Sequence, residues 1–287
     1  MKKILLCTDG SPFAENIYPY GAWFASRLPA AIDVLFVTDI RSQQAIASSN
    51  LSGSIGIDAS EVLLSQLVEL EHQRAKLNHQ RAKLVLQTAE ARLKELGANQ
   101  VQLLHETGFL VDCFHEFEDQ ADLIMLGKRG ETAQFATGHL GANVERILRS
   151  SHKPCLVTPQ AFQPIERLLL AYDGSQTCQK ILEFLAQSTL FQGLELHLLT
   201  IAKPADRDAA IAQLKEAEDV VRPAGFTPIS QVLQGDPEMA IANYVTDHHI
   251  NLLLMGAYGH SRIRHLVIGS TTSQILRSTL IPVLVFR

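Results

Sequence analysis

The stretch of this chain best equipped for chemistry is Gly256-Ala-Tyr-Gly259, followed after nine further residues by Gly269-Ser270. The first two glycines directly follow an apolar run. There they let the backbone turn tightly and approach a ligand with no Cβ in the way. Gly269 and Ser270 open a helical run, Thr271–Ser278. The unpaired N–H groups and dipole at a helix start favour an anion, and the Ser270 hydroxyl can cap that helix or meet a phosphate oxygen. Between the glycines lie His260, Ser261, Arg262, Arg264 and His265. Two guanidinium groups on a loop pinned at both ends suit a polyphosphate, and they equally suit a solvated loop face. Each glycine alone would be an ordinary turn; together they read as a main-chain anion cradle. It is neither a GxxxxGK[ST] phosphate loop nor a GxGxxG dinucleotide fingerprint, since both patterns are absent.

The elements that must hold this cradle come in two copies. Leu168-Leu-Leu-Ala-Tyr-Asp-Gly-Ser175 repeats Ile4-Leu-Leu-Cys-Thr-Asp-Gly-Ser11, Ile250–Gly259 repeats Ala121–Gly130, and Pro282-Val-Leu-Val285 repeats Pro154-Cys-Leu-Val157. A repeat of this size means a tandem duplication of one strand-and-helix unit. Short apolar strands are expected at 4–7, 32–38, 101–105, 123–126 and 155–157, and again at 167–171, 195–201, 229–233, 252–255 and 283–286, with helical runs between them. Alternating buried strands and helices make an α/β fold of βαβ units, with parallel sheets covered on both faces. Pro159 and Pro164 bracket a short linker, which sets the domains at 1–160 and 161–287 and predicts that the halves pack together. In a doubly wound sheet the first and fourth strands meet at the ligand-binding edge. Asp173, ending the first strand of the second copy, is therefore expected to share one crevice with the glycine loop.

The copies differ where the chemistry lies. The first has Asp9, Gly127, Gly130 and Gly141, but ten residues separate the last two glycines, and Ala142 stands where the second copy has Ser270. One lost hydrogen bond to a charged group costs about 1.5–3 kcal/mol, roughly one to two powers of ten in affinity. A competent second site and a lost or altered first one are expected, with Lys128 and Arg129 keeping some positive charge in the first. The first copy also carries an insertion. Residues 42–60 are rich in Ser, Ala and Gly and read as a mobile loop, and 60–96 reads as one long helix. Within that helix His72-Gln-Arg-Ala-Lys-Leu77 recurs as His79–Leu84. The seven-residue period lasts only two repeats and is taken as local duplication on a solvated face rather than a docking helix.

Composition narrows the function. At 46% hydrophobic and 19% charged residues, 287 residues can fill two cores. A net charge of −5 argues against a nucleic-acid surface. Cys7, Cys113, Cys155 and Cys178 have no metal-ligand spacing and read as buried thiols of a reducing compartment. No apolar run reaches the length of a membrane span, and the N-terminal apolar run is too short for a secretory signal, so a cytoplasmic location is expected. No nucleophile–base pair is evident.

The strand ending in Asp-Gly-Ser, the G-x2-G-x9-G-S loop, the helix after it and the final Pro-Val-Leu-Val strand together resemble the universal stress protein family, in tandem form, over nearly the whole chain. The resemblance implies five-stranded parallel sheets of order 3-2-1-4-5 in two domains related by a pseudo-two-fold axis. It implies ATP, with or without Mg²⁺, held in the second domain by Asp173, Ile201, Gly256, Gly259, Arg262, Gly269 and Ser270, with Ile201 beside the adenine. Slow ATP hydrolysis or self-phosphorylation is the most catalysis it implies, and no catalytic residue or protein-bound metal is assigned. The alternative is an interaction scaffold for a protein partner that binds no nucleotide, with further pairing of two chains left open.

Overall fold

The structure, a computed structural model, describes residues 1–11, 14–39, 57–130, 140–257 and 269–287, and of 57–64 and 142 the backbone only. The first half runs β1 (Lys3–Thr8), α1 (Ile17–Arg27), β2 (Ala31–Asp39), α2 (Ile57–Glu95), β3 (Val101–Gly108), α3 (Leu110–Glu118), β4 (Leu123–Gly127), α4 (Ala142–Ser150) and β5 (Cys155–Thr158). The second runs β6 (Arg167–Ala171), α5 (Gln176–Gln187), β7 (Glu195–Ile201), α6 (Arg207–Val221), β8 (Ile229–Leu233), α7 (Pro237–Asp247), β9 (Leu252–Gly256), α8 (Ser270–Ser278) and β10 (Val283–Phe286). The glycine- and serine-rich stretch expected to be a mobile loop falls outside the described residues up to 56, while 57–60 already belong to α2. Helix α1 starts at Ile17, after Ala14 and Ile17 donate to the carbonyls of Ser11 and Ala14 in successive turns.

The strands form one ten-stranded sheet of order β3-β2-β1-β4-β5-β10-β9-β6-β7-β8, so each half has the order 3-2-1-4-5. Every pairing within a half is parallel; β5 and β10 join antiparallel. At that junction Leu156 faces Leu284, flanked by Cys155–Val285 and Val157–Val283. Leu156 and Leu284 are equivalent in the repeat, so the pseudo-two-fold axis passes between them.

The inner strands are buried on both faces, which is why they read as continuous apolar runs, while the edge strands β3 and β8 are only half-buried. One layer packs α1, α2, α5 and α6 against the sheet around Tyr20, Phe24, Leu93, Leu182 and Val221. The other packs α3, α4, α7 and α8 around Phe114, Ile147, Ile241 and Ile275. The halves are also tied through α1. Arg27 Nε donates to the Leu190 carbonyl at 2.6 Å, and its guanidinium lies 5.2 Å from the Trp23 ring centre. Phe24 packs edge-on against Phe191, and Tyr20 edge-on against Phe162 of the linker.

The last turns of α2 reproduce α6. Ala82, Leu86, Ala89 and Leu93 are buried, as are Ala210, Leu214, Ala217 and Val221, each 128 positions later. Gly97 and Gly225, with φ of 89° and 91°, end both units in the left-handed conformation that glycine tolerates best. Since α6 begins at Arg207, equivalent to His79, the part of α2 before His79 is an N-terminal extension with no helical counterpart in α6.

Candidate functional site

The carboxyl ends of β1 and β6 make the same turn. Asp9 Oδ1 accepts from Ser11 N, and Asp173 Oδ1 from Ser175 N, both at 3.0 Å. Gly10 and Gly174 sit between them at φ 71° and 73°. The serines then hold the start of the next segment: Ser11 Oγ accepts from Ala14 N and Ser175 Oγ from Cys178 N, each at 3.3 Å. Asp-Gly-Ser is thus a turn and a cap that fix where the aspartate stands.

The ends of β4 and β9 also agree. Gly141 N donates to the Lys128 carbonyl at 3.2 Å, and Gly269 N to the Ala257 carbonyl at 3.1 Å. Both glycines are extended N-caps, at φ −59°, ψ 134° and φ −54°, ψ 143°. The longer first loop therefore leaves its helix start anchored as in the second half; residues 131–139 of that loop lie outside the described residues. Because these φ values suit any residue, glycine is not needed here for the backbone. It keeps the space before the helix amides clear: a Cβ on Gly141 would meet nothing closer than 3.5 Å.

In the first half these parts enclose a cavity of about 620 Å³. Asp9, Val37, Gly127, Gly130 and Gly141 line it, and they are the counterparts of Asp173, Ile201, Gly256, Gly259 and Gly269. The aspartate and the glycine loop do share one crevice here, since a Cβ on Gly130 would fall 2.6 Å from Asp9 Oδ2. In the second half the same framework is present at its ends. Asp173 follows β6, half-buried Ile201 closes β7, Gly256 closes β9, and exposed Ser270 is the first residue of α8. Thr200, the neighbour of Ile201, is committed inward: it is buried, and its hydroxyl donates to the Tyr172 carbonyl at 2.9 Å. Gly259 and Arg262 lie outside the described residues.

The sequence profile of the Universal stress protein family matches residues 1–159 and, again, 164–287. The chain belongs to the universal stress protein family. This universal stress protein is 61% identical over 287 residues to universal stress protein Slr1230 of Synechocystis sp., with all of both chains covered. Its fold is similar to that of a universal stress protein from Archaeoglobus fulgidus, with a TM-score of 0.74 at 22% identity over 99% of this chain and 98% of that one. A universal stress protein solved in complex with cAMP covers 44% of this chain, and 98% of its own, at 24% identity and a TM-score of 0.37; the cAMP is that protein's ligand.

Several residues of this universal stress protein matter in ways its sequence did not single out. Thr272, buried one turn into α8, donates to the Gly256 carbonyl at 3.2 Å and ties the helix start to β9; Val144 holds its place in the first half. A small polar residue at a buried helix position was the available signal. The first-half cavity also takes Arg74, Asn78 and Arg81 from α2, Asp39 from β2 and Arg146 from α4. The Arg74 and Arg81 positions are those of the two arginines in the repeated hexapeptide. The repeat is therefore not only a solvated face, although Leu77 and Leu84 within it are exposed.

Lys128, counted above as a local anion contact, turns away. Its Nζ donates to the Thr279 carbonyl of the second half at 2.7 Å, beside a small separate cavity. Burial, and then the charge of Arg129, lower its pKa to about 8. Burial raises the Cys155 and Cys178 thiols to about 12 and drives Cys7, on the cavity wall, higher still, so these three stay protonated rather than thiolate near neutral pH. Among the described residues no cluster of three or more His, Cys, Asp or Glu could hold a metal, and no helix is long and apolar enough to cross a membrane.

Proposed function

We propose that this universal stress protein is a regulatory protein that responds to adenine nucleotide and holds ATP in its second domain. The observation that supports this reading most is the shared anchoring of the two glycine loops. The Gly269–Ala257 bond sets the start of α8 at the end of β9, as the Gly141–Lys128 bond does for α4 and β4. There the helix start and the Ser270 hydroxyl receive the phosphates, Arg262 neutralises them, and Gly256 and Gly259 let the backbone approach. Asp173 and Ile201 contact the nucleoside. Mg²⁺ comes with the phosphates rather than from a protein cage. Occupancy then acts as a signal only through different affinity for two conformations.

The test is mass spectrometry of small molecules released by heat from the purified full-length protein, with ATP·Mg titration of the wild type and of Gly269→Val/Ser270→Ala. Released adenine nucleotide, and loss of binding in a variant that still folds, support the reading. Unchanged affinity in that variant removes the site assignment.

A second reading, an interaction scaffold without nucleotide, draws on α2. Its outer part exposes Leu67, Val68, Leu70, Leu77 and Leu84. Absence of both released nucleotide and any thermal shift with ATP·Mg would favour it.

A further inference from the structure

The inward stripe of α2 changes character along its length. From Leu93 back to Ala82 it is apolar and buried in the core. One turn earlier it becomes Arg81, Asn78 and Arg74, and all three line the 620 Å³ cavity of the first half. Arg74 and Asn78 are half-buried there, whereas residues 75–77 between them are exposed. The change comes where the helix leaves the sheet and passes over the strand ends. The helix is pressed onto the turn below it. A Cβ on Gly10 would fall 2.4 Å from Val85 Cγ2, and an Arg81 Nη lies 3.5 Å from the Asp9 carbonyl. The equivalent of Arg81 in the second half, 128 positions on, is Ala209, and Arg74 lies in the extension that has no counterpart in α6.

Two more arginines line the same cavity from other elements, Arg129 from the loop after β4 and Arg146 from α4. Helices α2 and α4 belong to layers on opposite faces of the sheet. Guanidinium groups therefore reach the cavity from two sides, with Asp9 and Asp39 at the strand ends between them. Among the described lining residues the arginines number four and the aspartates two. The volume lies within the range of small-molecule sites, about 300–1,000 Å³. Guanidinium groups match phosphate in fork geometry, and aspartates at strand ends accept from hydroxyl groups.

We infer that the first-domain cleft is a second binding site, rebuilt by the inserted helix. It takes a small molecule with phosphate groups at two separated positions and hydroxyl groups between them. Arg74 and Arg81 bind one phosphate, Arg129 and Arg146 the other, and Asp9 and Asp39 the hydroxyls. The inference stands independently of the ATP reading for the second domain.

The experiment is calorimetric titration of the full-length protein with fructose 1,6-bisphosphate and adenosine 3′,5′-bisphosphate, each against its monophosphate, fructose 6-phosphate or AMP. At least one bisphosphate should bind tenfold or more tighter than its monophosphate. Arg74→Gln/Arg81→Gln should erase that preference, as should Arg146→Gln at an exposed position on the other wall, while ATP binding stays unchanged. Gly269→Val/Ser270→Ala should leave bisphosphate binding intact. The inference is overturned if neither bisphosphate outbinds its monophosphate, if the arginine variants keep the preference, or if the second-domain variant abolishes it. Failure of the ATP site alone would appear only in the ATP titration.

Discussion

In the first half the helix after the second strand runs from Ile57 to Glu95; in the second half it runs from Arg207 to Val221. The described parts of the two cleft frames share the aspartate turn, the bond from helix start to strand end, and the strand order. The cations differ. The second half has Arg262 and Arg264 within its loop and Ala209 at the helix position equivalent to Arg81. The first half has Arg81 there, Arg74 on the added turns of α2, and the lysine of its loop turned to the domain interface. After duplication, the parts that set geometry stayed alike and the parts that supply charge diverged. A loop is cheap to alter because few core contacts depend on it, and a helix extension beyond the sheet can change without disturbing the core below it.

The comparison can be tested first at the axis itself. Leu156→Ala and Leu284→Ala should each destabilise the protein by about 2–5 kcal/mol in urea unfolding. As symmetry mates in a shared core, their costs should be similar; widely unequal costs would show that the junction is not symmetric in energy. Next in size, Gly269→Val/Ser270→Ala should weaken ATP binding more than a hundredfold in titration, about 2.7 kcal/mol. Gly141→Val should leave that ATP affinity unchanged, since it alters the other cleft. Third, Ala142→Ser gives the first half the hydroxyl of the second and should tighten its hold on inorganic pyrophosphate about tenfold, roughly one hydrogen bond to a charged group. No gain would show that the hydroxyl is not what separates the clefts.

The smallest effect concerns pH. Cys155 stands at the junction where the second half has Val283. Burial keeps its thiol protonated in the folded state up to about pH 12, whereas the unfolded thiol ionises near 9. Above 9 the unfolded state thus binds fewer protons, and stability falls as pH rises. A single such group contributes at most about 1.4 kcal/mol per pH unit. Unfolding free energies at pH 8 and 10 should therefore converge more closely in Cys155→Val than in the wild type. An unchanged slope would place the titrating group elsewhere.

Much of this was legible from local pattern. Unbroken apolar runs such as Leu168–Ala171 and Leu252–Gly256 announced buried parallel strands, the Asp-Gly-Ser motifs marked the strand end at each cleft, and Gly269-Ser270 marked the helix start at the second. Arg74 and Arg81 were seen as part of a repeat and taken for a solvated face. Their spacing of seven tells which helix face they share but not what that face overlies. Nor could the loop count foresee that Gly141 and Gly269 are pinned alike, because the bond that pins them runs to a carbonyl more than ten residues away.

By itself the sequence determined the duplication, the strand and helix identities, the turn geometry at Asp9 and Asp173, and the divergence of the two glycine loops. All of these rest on interactions between residues near in the chain, or on a pattern of burial that a single segment displays. Only the tertiary structure decided that the halves join by antiparallel pairing at Leu156 and Leu284, that Lys128 crosses to Thr279, and that α2 carries two arginines over a cleft built by β1, β2 and β4. Those outcomes depend on how distant faces pack and how far a helix overruns its sheet, which no local spacing encodes.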